Sequence, residues 1–168
     1  MTDRPEPIDP RVVVGHVHLK VSDLERAISF YRDALGFEVM QRLGDSAAFL
    51  SAGGYHHHLG LNTWESRGAG PAPCRAAGLY HAAFLYPTRQ ALAVAYRRLV
   101  NAGVALEGAA DHGVSEALYL RDPDDNGLEL YWDRPREAWP LAEDGSLAMF
   151  TRALDLGALL ALAPGRAP

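Results

Sequence analysis

The chain has 168 residues, 48% of them hydrophobic and 22% charged, a balance that suits one compact domain or two half-sized units sharing a core. Its 16 basic and 21 acidic side chains leave a formal charge of −5 and no basic cluster, so the footprint of a nucleic-acid binder is missing. No apolar run reaches bilayer-spanning length, the opening MTDRPEPIDP has the wrong make-up for a signal peptide, and the single cysteine, Cys74, can form no internal disulfide. A reducing cytoplasm without membrane contact is the expected setting.

In chain order, residues 1–11 read as a flexible arm, polar and proline-rich. Residues 12–64 read as a first βαβββ module. His16 lies in a strand-like run, Ser22 and Glu25 have the spacing of a capping box, and Leu24, Ala27, Ile28, Tyr31 and Leu35 form one helical face that ends near Gly36. Three β-like runs follow, at Glu38–Arg42, Ala47–Ser51 and His56–Thr63. Residues 65–77, rich in Gly, Pro and Ala, read as a linker, with Cys74 in a loop.

Residues 78–134 repeat the pattern. His81 sits in a strand-like run stopped by Pro87, and Thr88 is placed to cap a helix with an apolar stripe of Leu92, Ala95, Tyr96, Leu99 and Val100. Gly103 ends that helix, and the β-like runs Val104–Leu106, Glu116–Arg121 and Gly127–Trp132 follow. Fifteen residues separate His16 from Tyr31 and fifteen separate His81 from Tyr96. This internal repeat predicts an α+β fold of two paired βαβββ modules, with curled mixed sheets around a metal-binding cleft. Residues 135–168 form a C-terminal extension, in which Asp155 is placed to cap a short helix through LGALLALA, stopped by Pro164-Gly165. Such a tail packs on a sheet edge or on a partner subunit, and the sequence leaves both open, homodimerisation included.

Strand alternation then sorts the polar residues. Val13, Val17, Leu19 and Val21 are expected toward the first helix, which turns Val14, His16, His18 and Lys20 to the opposite face. Leu128 and Leu130 take the core side and leave Glu129 and Tyr131 opposite, and Leu118 and Leu120 likewise turn Tyr119 outward. His16 and His81 occupy equivalent places in the two modules, and Glu129 on the last strand can join them. Two imidazoles and one carboxylate bind Fe(II), Mn(II) or Zn(II) and leave positions free for other ligands. The first-module counterpart of Glu129 is apolar, Leu59 or Leu61 depending on the gap chosen, so no fourth protein ligand is evident. His56 and His58 are expected to point away from His57, and Asp122 to Asn126 to form a solvated turn.

The segments GHVHLKVSDLERAISFYRDALGF and LYLRDPDDNGLELYW resemble the opening and closing strands of the vicinal oxygen chelate superfamily, which includes extradiol dioxygenases, glyoxalase I and the fosfomycin- and bleomycin-resistance proteins. The resemblance implies metal ligands at His16, His81 and Glu129. Within the superfamily, YHHHLGLN and DHGVSEALYLRDP resemble the catechol-cleaving extradiol enzymes and imply catalytic roles for His57, His112 and Tyr119. The expected function is ring cleavage of a small catechol-like aromatic by O2 at a divalent metal, Fe(II) first, with Mn(II) and Zn(II) as alternatives. A glyoxalase-type isomerase or lyase, and a drug-binding resistance protein, are the competing readings, and fold alone does not choose among them.

Overall fold

The computed structural model describes residues 6–73 and 75–164, so the first five residues of the arm, the loop position of Cys74 and the helix stop at Gly165 lie outside the described residues. The first module runs β1 (Val17–Lys20), α1 (Leu24–Ser29), β2 (Glu38–Leu43), β3 (Ala47–Ser51) and β4 (Leu59–Asn62). The second runs β5 (Ala82–Leu85), α2 (Arg89–Asn101), β6 (Leu106–Asp111), β7 (Ser115–Arg121) and β8 (Gly127–Asp133). In each, the first strand pairs in parallel with the last, and the others are antiparallel. The strand orders are β1-β4-β3-β2 and β5-β8-β7-β6, with β9 (Arg152–Ala153) added at the outer edge of the second sheet. Each strand that follows a helix carries a register irregularity, at Val39/Gln41 and at Leu106/Gly108, a further echo of the repeat.

Helix α1 starts one residue later than the capping-box reading placed it. Asp23 is the N-cap and accepts from the Arg26 N–H, because the Ser22 hydroxyl and N–H are both committed to the Asp124 carboxylate. The helix continues as a π-helical turn through Phe30–Ala34, and its expected apolar face is buried throughout. In α2, capped by Thr88, the stripe is shifted: Leu92, Ala93, Ala95 and Leu99 are buried, whereas Val100 is exposed.

A further difference lies at β6, expected at Val104–Leu106 but formed by LEGAAD over Leu106–Asp111. That segment has little alternation of its own, and its ladder to β7 defines it. Val13, expected inward, is exposed, because it precedes the start of β1.

One buried cluster draws Leu19, Leu50, Leu59 and Leu61 from the first sheet and Leu118, Leu120, Leu128 and Leu130 from the second, together with both helices. Each such leucine contributes about 1.5–3 kcal/mol of burial. The modules meet through these helix-side surfaces: Phe37 packs edge-on against Phe84, and the buried Tyr31 hydroxyl donates to Asp122 Oδ2 at 3.0 Å.

The turn expected to be solvated is in part a clasp between the modules: Asp122 is buried, whereas Asp125 is exposed. Asp122 also accepts from the Asp124 and Asn126 N–H groups and from Asn126 Nδ2, while Asp124 holds Ser22 and Arg26 of the other module. The extension wraps the second module: β9 pairs with β6, and α3 (Leu156–Ala161), capped by Asp155, packs on α2 with Arg97 donating to the Leu160 carbonyl. Among the described residues, no helix is long and apolar enough to cross a membrane.

Candidate active site

The parallel pairing of β5 and β8 sets Ala83 opposite Glu129, and the antiparallel pairing of β7 and β8 sets Tyr119 opposite the same residue. Because alternate side chains take opposite faces, Leu128 and Leu130 enter the core, and Glu129 and Tyr119 project from the other side. His81, one residue ahead of β5, brings its Nε2 to 2.9 Å from Glu129 Oε2. The Tyr119 hydroxyl lies 3.2 Å from Glu129 Oε1 and 2.8 Å from His112 Nε2. Four side chains thus form one connected line, His81–Glu129–Tyr119–His112, on a single sheet face. Burial, and next the Glu129 carboxylate, push the Tyr119 phenol up to about 12, so it remains a donor at neutral pH. A recess of about 220 Å³ opens beside Tyr80, His81 and Tyr119, with Gly108 opposite Tyr119 leaving the space clear. A larger hollow of about 530 Å³ at the start of α1, between Ser22 and Arg67, has no imidazole in its lining.

The remaining candidates gather on the first sheet. His16, one residue ahead of β1, has its ring centroid 4.5 Å from that of His57, which lies 5.0 Å from Phe49. His18 points to the same side, 6.0 Å from Phe49 and 5.4 Å from Trp64. Burial, then the neighbouring His16, hold the His18 and His57 imidazoles below their ordinary range. His58 turns away, its Nδ1 3.0 Å from the Ser51 hydroxyl. His56 does not, since its Nδ1 lies 2.8 Å from His57 Nδ1. The alternation used to separate these neighbours fails because residues 56–58 precede β4.

Register also identifies the first-module counterpart of Glu129. His16 matches His81 and His18 matches Ala83; His18 stands opposite Gly60 as Ala83 stands opposite Glu129. The counterpart is Gly60, not Leu59 or Leu61. A Cβ there would come within 2.8 Å of the His18 ring, so the place of a carboxylate is filled by an imidazole lying over bare backbone.

Nitrogen and carboxylate oxygen donors that converge as His81 and Glu129 do, with side chains 30% and 14% exposed, suit a divalent cation of the first transition series. Among the described residues, no group of three His, Cys, Asp or Glu is placed to hold a metal within one chain. The expected trio is divided: two donors on the second sheet, and His16 on the first.

Sequence reasoning missed Phe150 and Thr151. His112 Nδ1 lies 3.2 Å from both the Phe150 carbonyl and the Thr151 hydroxyl, across 38 and 39 residues of chain. The only local signal was the extension itself, which carries no pattern that points to His112.

A family model described as the Glyoxalase/Bleomycin resistance protein/Dioxygenase superfamily matches residues 13–130. The catechol-2,3-dioxygenase of Bacillus subtilis (strain 168) is 43% identical over 148 residues, 88% of this chain and 50% of that protein. The biphenyl-2,3-diol 1,2-dioxygenase 3 of Rhodococcus globerulus is 32% identical over 126 residues, 75% of this chain and 65% of that protein. The chain thus spans less than two thirds of the length of these relatives. Among solved structures, a glyoxylase/bleomycin resistance protein/dioxygenase domain from Frankia sp. EAN1pec superposes with a TM-score of 0.61 at 28% identity, covering 73% of this chain and 98% of that one. A lactoylglutathione lyase from Agrobacterium tumefaciens shares the fold with a TM-score of 0.58 at 23% identity, covering 74% and 96%.

Proposed function

The chain belongs to the glyoxalase/bleomycin resistance protein/dioxygenase superfamily, whose model covers residues 13–130, and from that premise we propose that it is an extradiol dioxygenase opening a catechol-like ring with O2. The observation that carries this reading is the connected line His81–Glu129–Tyr119–His112 on one half-buried sheet face: two candidate metal donors followed by two groups able to bond a phenolic oxygen. The names of the 43% and 32% identical relatives support the same chemistry.

Under this proposal His16, His81 and Glu129 hold the metal, Fe(II) by preference, with Mn(II) or Zn(II) as substitutes. When bound, such an ion would supply Lewis acidity toward two vicinal oxygens, and Fe(II) or Mn(II), unlike Zn(II), would add the redox chemistry that O2 demands. The protein's part is positional. Tyr119 and His112 bond the substrate oxygens as charge moves. His57, beside His16, takes a substrate proton and later returns one. Gly60 at the counterpart of Glu129 leaves no fourth carboxylate in the repeat, which weighs against a glyoxalase-type isomerase built on four protein ligands.

The divided trio leads us to propose in addition that two chains pair, with His16 of the partner subunit approaching His81 and Glu129. The residues leading into each histidine are apolar and uncovered: Val14 is 87% exposed and Tyr80 81%. A twofold arrangement would cover both stretches and complete two sites at once.

Oxygen uptake by protein reconstituted anaerobically with Fe(II), across a panel of catechols and with metal content assayed in parallel, tests the function. Uptake with a yellow ring-opened product is the expected result. Bound metal without uptake on any catechol would overturn the dioxygenase reading.

A further inference from the structure

Residues 139–153 lie outside the βαβββ repeat, yet they reach the active face. The segment turns back on itself through a bridge between Leu141 and Leu147, and the Ala148 N–H donates to the Pro140 carbonyl at 2.9 Å. It then docks on the turn between β6 and β7. The Phe150 N–H donates to the His112 carbonyl at 3.2 Å, and β9 pairs with Ala110 and Asp111. The fit over the turn is close. Gly113 has a φ of +78°, and a Cβ there would meet the Phe150 ring at 2.6 Å and Pro140 at 2.8 Å. Asp111 fixes the same turn, accepting from the Gly113 N–H at 2.8 Å and from Arg134 at 2.9 Å.

This docking sets what the His112 imidazole can do. Its Nδ1 faces the Phe150 carbonyl, which can only accept, so that contact is a hydrogen bond when Nδ1 carries the proton, and the Thr151 hydroxyl, able to donate or accept, then accepts beside it. In the neutral ring Nε2 is then the acceptor, and its partner at 2.8 Å, the Tyr119 hydroxyl, becomes the donor. Tyr119 has one hydroxyl proton and two acceptors within reach, His112 Nε2 and Glu129 Oε1 at 3.2 Å. The opposite tautomer would make Nε2 donate to Tyr119 and send the phenolic proton to Glu129. A donor on Nδ1 therefore leaves Nε2 bare to compete for the Tyr119 proton with Glu129 Oε1, to which the hydroxyl also donates at 3.2 Å.

We propose that the 139–153 strap is an orienting device for His112: the Phe150 carbonyl and the Thr151 hydroxyl hold the Nδ1–H tautomer and present Nε2 as a proton acceptor to the active face. Thr151 is thus a positioning residue acting through His112, in the way that a third group fixes the tautomer of a general base. The proposal deepens the dioxygenase reading and rests on it for its consequence in turnover. Its central statement concerns the resting protein.

The test is nitrogen NMR of 15N-histidine-labelled protein without substrate, with the His112 ring assigned by its loss in His112→Gln. The expected spectrum of the intact chain shows Nδ1 protonated and Nε2 bare. Thr151→Val together with Phe150→Ala, which loosens the strap without changing a residue of β9, is expected to mix the two tautomers, and Thr151→Ser alone to keep the original one. A His112 ring protonated mainly at Nε2 in the intact chain would overturn the proposal, as would a ratio unchanged by the double substitution while circular dichroism reports a folded protein. Ring cleavage is measured on the same samples and is expected to drop about tenfold in kcat in the double variant, with little change in KM. An inactive chain with the expected tautomer would overturn the dioxygenase reading and leave the strap assignment standing.

Discussion

Replacing Tyr31 by phenylalanine tests the clasp that joins the two modules. The Tyr31 side chain is fully buried, and its hydroxyl donates across the module boundary to Asp122, itself 3% exposed. The ring would keep its edge-on contacts with Phe30 and Phe37, so the substitution opens a gap of one oxygen atom only. What remains is the loss of a hydrogen bond to a charged acceptor, about 1.5–3 kcal/mol. Asp122 retains three other donors, which places the expected loss near about 1.5 kcal/mol, or about 3–6 °C in Tm for a chain of this length.

The alkaline limb gives a second signature. Burial, and after it the Asp122 charge, push the Tyr31 phenol well above its ordinary range. The neutral phenol is therefore the form the fold selects. Its contribution is intact below about pH 10, where the unfolded phenol titrates, and is lost as pH rises from there through the folded pKa. The Tyr31→Phe variant lacks this loss, so the gap between the two proteins should narrow above about pH 10, with the other tyrosines cancelling in the difference. Urea titrations at pH 7 and across the alkaline range measure it. A cost below about 0.5 kcal/mol, or a gap that stays constant to the alkaline end, would refute the assignment of the clasp.

Gly60→Ala should destabilise the first module by about 1–3 kcal/mol in a thermal melt, because the new Cβ meets the His18 ring, and His18→Ala on the same chain should recover most of it. Glu129→Gln and His81→Ala should each lower Mn(II) affinity by more than the ~10–100-fold typical of residues that only support ligands, as read by calorimetric titration; retention of full affinity in either would remove that residue from the site. Mixing inactive His16→Ala and Glu129→Ala chains should restore about a quarter of the activity if the site spans two chains, since half the dimers are mixed and each carries one intact site; no recovery after verified exchange would place the site within one chain. Glu116→Leu should cost about 3 kcal/mol by chemical denaturation, because Arg89 and Arg134 lose the buried carboxylate they share.

Much of the fold is local information, and the sequence carried it. The βαβββ repeat is written in periodicities of two and 3.6, in the glycines that end the helices and in the equal spacing of His16–Tyr31 and His81–Tyr96, all of which arise from neighbours along the chain. The same alternation puts Glu129 and Tyr119 on one face and Leu118, Leu120, Leu128 and Leu130 on the other, because a strand has no other way to turn its side chains. Matters that depend on partners far along the chain were not legible. Ser22 left its helix for Asp124, a choice that exists only once the modules dock. Gly60 became the counterpart of Glu129 through strand register, which two nearby leucines left ambiguous. The separation of His16 from His81 and Glu129, and the approach of Phe150 to His112, were decided by tertiary structure, because periodicity fixes which way a side chain points but not which surface comes to meet it.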